Sequence, residues 1–220
     1  MIEEILTGKT EEHLTIDGIS KNLIHKDMLS ALQILRNEAK AFGFSLEIAS
    51  AFRSFEAQLK IWNAKALGLR PLFNDQGVAL DYNSLSPEEI VYSILRWSAL
   101  PGASRHHWGT DFDVYDSSCL SADYKVQLLP LEYEVGGAFS EFNIWLEKNM
   151  ASYGFYRPYE TDQGGIAPEK WHLSFAPVSK IYQTALSYEL IHSTVEAADI
   201  ELKEIILREL PLIYPRFINI

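Results

Sequence analysis

The sequence predicts an α+β domain, a small antiparallel sheet flanked by helices, with a helical carboxy-terminal extension. Two observations carry this reading. Strand-like stretches at about 46–51, 110–115 and 171–176 lie far apart with long excursions between them, so strands and helices do not alternate regularly as in a doubly wound parallel sheet. From about Val178 to Leu210 the pattern turns helical throughout. The chain of 220 residues is long enough to bury a core unaided, and one domain spanning 1–220 is expected, with its motif-bearing part at about 25–178.

Residues 1–22 are weakly patterned and predict an irregular entry with a short strand or turn. Apolar residues at Met28, Leu32, Leu35, Ala39 and Phe42 then mark an amphipathic helix over 26–42, stopped by Gly43. Leu46–Ala51 reads as a buried strand. Ser54 is the expected N-cap of a helix to about Leu67, with Glu56 in its first turn. Residues 68–85 are loop-like. Ser86-Pro87-Glu88-Glu89 starts another helix, with Ser86 as cap, Pro87 at the first position and Glu89 reaching back; it runs to about Leu100. Thr110–Tyr115 alternates as a strand does. A helix is expected at Phe139–Tyr153, ended by Gly154, and a strand at Trp171–Ala176. The helical tail should form two helices, broken around 197–199 and ended by Pro211 and Pro215.

Composition narrows the functional classes. With 47% hydrophobic and 22% charged residues the chain is globular rather than disordered. A net charge of −11 argues against gripping nucleic acid. The single cysteine, Cys119, allows no intrachain disulfide and is expected to be a bystander. No apolar run approaches the roughly 20 residues that span a bilayer. The amino terminus lacks a basic stretch followed by an apolar one, so a cytoplasmic location is expected, with a periplasmic or wall-associated one as the alternative. Oligomeric state is not legible.

Two segments carry chemistry: Ser104-Arg105-His106-His107-Trp108-Gly109-Thr110-Asp111-Phe112-Asp113 and Glu169-Lys170-Trp171-His172, which hold three of the six histidines. Imidazole and carboxylate are the usual ligands of a catalytic zinc that keeps one position open. A glutamate three residues before a ligand histidine can stand beside the metal's water without ligating. Spacing alone leaves His106, His107, Asp111 and Asp113 all eligible, since Asp111 and Asp113 share a face of a strand. Two histidines and a carboxylate also resemble a non-haem iron site, but nothing else in the sequence suggests an oxygenase.

The order Ser-x-His-x-x-Gly-x-x-x-Asp, at Ser104, His106, Gly109 and Asp113, followed by Glu-x-Trp-His, at Glu169, Trp171 and His172, resembles the VanY-type D-alanyl-D-alanine carboxypeptidases. These belong to a wider zinc-peptidase group that includes lysostaphin-type enzymes and the sonic hedgehog amino-terminal domain. Upstream, Ser50-Ala51-Phe52-Arg53-Ser54-Phe55-Glu56-Ala57-Gln58 resembles the family's Arg-Ser-aromatic stretch ending in Gln. The resemblance implies a hedgehog/DD-peptidase-like fold and one Zn2+ per chain on His106, Asp113 and His172. It implies Glu169 as catalytic base and Arg53 as stabiliser of the oxyanion, a role an always-charged planar donor suits. Gln58 and Ser104 become candidates for holding the substrate's terminal carboxylate. His107 is then a supporting or rim residue, and Trp108 and Trp171 pack around the site. His13, His25 and His192 fit no spacing and are expected at the surface. At Asp111 relatives often carry a small residue; an acidic group there either adds negative charge to the pocket, supports a ligand or faces solvent.

The function implied is zinc-dependent release of D-alanine from peptidoglycan-derived peptides. Its rivals are an endopeptidase or L,D-carboxypeptidase of the same chemistry and a non-catalytic zinc-binding recognition domain. The last is disfavoured because a purely structural site needs neither Glu169 nor Arg53.

Overall fold

A computed structural model describes residues 2–121 and 123–220. The chain opens with α1 (Ile2–Leu6) and the hairpin-like pair β1 (Leu14–Ile16) and β2 (Leu23–His25), so the entry is more regular than its pattern suggests. A 3-10 turn leads into α2 (Leu29–Ala41), which buries Leu32, Leu35 and Ala39 along one stripe. Next come β3 (Leu46–Ser50), α3 (Phe55–Ala66) and α4 (Pro87–Trp97). Ser54 caps α3 through the Ala57 N–H, and Ser86 with Glu89 closes a capping box at the start of α4. β4 (Asp111–Asp116), α5 (Pro130–Tyr133), α6 (Ser140–Asn149), β5 (Phe155–Tyr156) and β6 (His172–Phe175) follow. The last elements are α7 (Ala176–Ala185), α8 (Tyr188–Ala197) and α9 (Lys203–Ile213). Among the described residues no helix is long and apolar enough to cross a membrane.

β3, β4, β6 and β5 form one antiparallel sheet in that order. Phe112, Val114, Leu173 and Phe175 point from one face into a core shared with α2 and α6, where Leu32, Leu35, Phe142 and Leu146 lie. The other face carries Asp111, Asp113, His172 and Ser174, because side chains alternate along a strand. A second core fills the space between α3, α4 and the tail, with Trp62, Val91, Ile94, Ile191, Val195, Ile206 and Leu210 all buried. The tail is thus bound to the body of the protein by its apolar face.

Several expectations need correction. The tail makes three helices, not two. An extra break falls at Leu186–Ser187, where the Ser187 hydroxyl accepts from the Leu190 N–H and starts α8. A capping serine reads as an ordinary helical residue when the surrounding apolar spacing continues. Pro211 does not end the helix but sits inside α9, and Pro215 lies in a π-turn at Tyr214–Ile218. His13 and His25 are buried, not superficial. His25 is held between the Tyr182 hydroxyl and the Asp27 N–H, and His13 packs beside it with ring centroids 5.6 Å apart. His192 is half-buried against Tyr188. Cys119 is exposed.

Candidate active site

The site is built where β4 and β6 lie side by side. Asp113 stands opposite His172 in the ladder. A bulge in β3 shifts the register between Ile48 and Ser50, placing Ser50 opposite Asp113 and aiming the following segment, with Arg53, at the same place. His106 comes from the 3-10 turn Arg105–Trp108, which Gly109 ends at φ 65°. A side chain on Gly109 would meet Leu14 at 2.3 Å and the backbone nitrogen of His25 at 2.9 Å. Gly109→Ala should therefore destabilise the protein by about 2–4 kcal/mol, combining left-handed strain with overpacking, as urea unfolding will show. An unchanged midpoint would mean that the β1–β2 pair gives way freely.

His106, Asp113 and His172 offer ligand atoms that all lie within 4.8 Å of one another. His106 Nδ1 is 2.8 Å from the Ala51 carbonyl and donates to it, so Nε2 is left facing Asp113 Oδ2 at 3.6 Å. His172 Nε2 donates to Asp111 Oδ1 at 3.0 Å, which leaves Nδ1 facing Asp113 Oδ1 at 3.2 Å and Glu169 Oε2 at 3.5 Å. Each outward nitrogen is thus fixed by an acceptor, and each inward one is the nitrogen a metal takes. Asp113 Oδ1 is buried without a hydrogen-bond partner. Burial, helped by Arg53, pulls the His106 pKa down to about 4 and keeps that ring neutral, as a ligand must be. Burial works against a charge on His172 too, yet Asp111 and Asp113 push its pKa up to about 10. The Asp113 carboxylate faces the inward nitrogens of both histidines, so these three side chains converge on one point. Their nitrogen and oxygen donors, an orphaned carboxylate oxygen and an open side towards a cavity fit zinc.

Asp111 does not enter the cavity. It is fully buried behind His172, where it accepts from Arg105 Nε at 2.7 Å and Thr110 Oγ1 at 2.7 Å besides the imidazole. Burial alone would raise its pKa, but Arg105 and His172 hold the carboxyl well below the usual range. Arg105 is the residue that the sequence reading missed. It is buried, reaches Tyr156 and Ser174 at 2.8 Å each, bonds to Gln183, and lies over the Trp108 ring. Gln183 in turn donates to the Ile218 carbonyl, so the tail supports the site through one hydrogen-bonded chain. The signal was present: an arginine beside the first motif's histidine and an aspartate two residues before that motif's Asp113.

The remaining predicted residues divide. Arg53, Ser104 and Glu169 line the cavity with the three candidate ligands. Gln58 does not: its amide is fully buried, donates to the Ala99 carbonyl and Ser98 hydroxyl, and accepts from Arg53 Nη1 at 2.9 Å. It sets the guanidinium and faces away from substrate. Ser50 Oγ receives Arg53 Nη2 at 3.1 Å. His107 holds the same residue from behind, with Nδ1 donating to the Arg53 carbonyl and Nε2 accepting from the Gly102 N–H. Trp108 is core, and Trp171 packs on Tyr133 while lining the cavity. Tyr159, unforeseen, lies against the His172 ring at 5.0 Å. Glu169 is half-buried, and its desolvation together with nearby Asp113 pushes its carboxyl up to about 7, with His172, Arg53 and Lys65 opposing. A carboxylate poised near neutrality beside a zinc-type triad is equipped to move protons.

The chain is similar to several known proteins. A Haemophilus influenzae protein is 43% identical over 100 residues, 44% of this chain and 68% of its own length. The structure of VanYB in complex with D-alanine-D-alanine superposes with a TM-score of 0.55 at 21% identity, covering 84% of this chain and 89% of that one. A vancomycin-resistance D,D-pentapeptidase VanY in complex with Zn(II) gives 0.54 at 21% identity, covering 83% and 92%. At such identities the two structures establish the shared fold. The family described as VanY, D-alanyl-D-alanine carboxypeptidase, matches residues 21–178, which is most of the chain. On that match this chain belongs to the VanY family of D-alanyl-D-alanine carboxypeptidases and is a zinc metallo-carboxypeptidase.

Proposed function

We propose that the protein hydrolyses the peptide bond before a terminal D-alanine in peptidoglycan-derived peptides. The observation that supports this most directly is the half-buried Glu169, 3.5 Å from His172 on the cavity side of the three-residue cluster, with Arg53 on the same wall. His106, Asp113 and His172 would hold the zinc, which would supply Lewis acidity and ease deprotonation of the attacking water. Glu169 takes the proton from the attacking water and passes it to the nitrogen of the leaving D-alanine, so the base ends as it began. Arg53, fixed by Gln58 and Ser50, donates to the carbonyl oxygen as it gains charge. The Ser104 hydroxyl makes no hydrogen bond among the described residues and faces the cavity, free for the substrate.

The expected result is about one zinc per chain and D-alanine release from a peptide ending in D-Ala-D-Ala. A chelator should abolish release and added zinc should restore it. Zinc bound without release, or products whose masses show an internal cut, would replace this reading with an endopeptidase of the same chemistry.

A further inference from the structure

Lys65 lies in the last turn of α3, seven residues beyond Gln58, hence on the same face of the helix two turns on. It is half-buried and lines the catalytic cavity alongside Arg53, Ser104 and Glu169. Every other charge there already has a counterpart. Arg105 is bound to Asp111, and Arg53 is held by Gln58 and Ser50 and faces Asp113 and Glu169. Among the described residues the Lys65 ammonium makes no hydrogen bond and no ion pair. Its charged neighbours are two cations, Arg53 and Arg70, and one anion, Glu169. Burial and the two arginines draw its pKa down to about 8, which still leaves it largely charged at pH 7.

A desolvated ammonium with no partner is costly, and it is kept where an anion comes to meet it. The anion's identity follows from position, and here the argument rests on the carboxypeptidase reading above. With the scissile carbonyl at Arg53, the peptide's free carboxylate is only one residue further along, within about 4 Å of chain advance. The other cation on the cavity wall within electrostatic reach of Arg53 is Lys65.

We infer that Lys65, with the Ser104 hydroxyl, holds the free terminal carboxylate of the substrate and so makes this enzyme cut one residue from the end rather than within a chain. The reading thus moves this role from Gln58, whose amide is turned inward, to a lysine outside any motif.

The test compares a peptide ending in D-Ala-D-Ala with its C-terminal amide, on the zinc-loaded wild type, Lys65→Met and Lys65→Arg. Met preserves the length and apolar stem, so the fold should hold, and thermal unfolding checks that it does. The wild type should prefer the free acid. Lys65→Met should raise KM for the free acid ~10- to 100-fold, the loss of one charge-assisted contact, and leave the amide's KM unchanged. Lys65→Arg should restore most of the preference. If Lys65→Met leaves the acid-over-amide preference intact, or weakens both peptides equally, Lys65 does not read the carboxylate, while release of D-alanine still stands. Binding of the dipeptide D-Ala-D-Ala to zinc-loaded Glu169→Gln protein separates the two ideas without turnover. Absence of both binding and release removes the carboxypeptidase reading, and the lysine's assignment with it.

Discussion

Glu169→Gln should lower D-alanine release by about 10²- to 10⁴-fold while zinc content stays near that of the wild type. Glutamine fills the same space but accepts no proton. The side chain stands outside the cluster of three ligand atoms, so its loss should not release the metal. The pH profile carries a second mark. Burial pushes this carboxyl up to about 7, and only its ionised form can act as base, so kcat/KM falls as pH drops through that value. A bound dication draws the value down, placing the limb at or below pH 7. The variant should lack that limb. Steady-state kinetics across pH and metal analysis decide the matter. Activity within about tenfold of wild type would remove Glu169 from the role of base, and parallel loss of zinc would make it a ligand.

Asp111→Ala should act on a different quantity. It leaves Arg105 buried and unpaired and frees the outward nitrogen of His172. Breaking a buried pair from one side costs about 3–5 kcal/mol, so the metal-free protein should unfold at clearly lower denaturant. Loss of the carboxylate behind a ligand histidine typically weakens metal binding ~10- to 100-fold, which competition with a chelator will report. Asp111→Asn should be milder in stability, since its amide oxygen still accepts from the imidazole. A metal-free protein as stable as wild type would mean that Arg105 is satisfied by Tyr156, Ser174 and Gln183 alone.

The two aspartates show what a sequence can and cannot say. The choice of His106, Asp113 and His172 came from the family resemblance; residue types and spacing alone pointed only to an imidazole–carboxylate centre with a nearby glutamate. They left Asp111 and Asp113 equivalent, since a strand turns both to one face. What separates them is the neighbour each meets: Arg105 and Thr110 for one, an open cavity for the other. Gln58 was misplaced for the same reason. The resemblance gave its place in a motif, but only packing shows that Ser98 and Ala99 occupy its amide. The buried His13 and His25 lay outside any periodic segment, where exposure has no sequence signature. The strands at 46–50, 111–116 and 172–175 and the starts of α3 and α4 were legible because alternation and caps are local; the two-residue β5 was too short to show alternation, and the break before Ser187 was hidden because the apolar spacing runs on across it.

The four residues Arg105–Trp108 bear on how the molecule assembles. Their side chains bond to Ala51, Arg53, Leu6 and Gln183, at separations of 55, 54, 102 and 78 residues. Each such bond closes a long loop, whose entropy must be lost before the contact returns anything. The histidine turn is therefore a late event in folding, and no excised segment carrying both motifs will hold its geometry. Zinc uptake during refolding should trail the appearance of helix, and it reports completion of the whole chain rather than formation of a local loop.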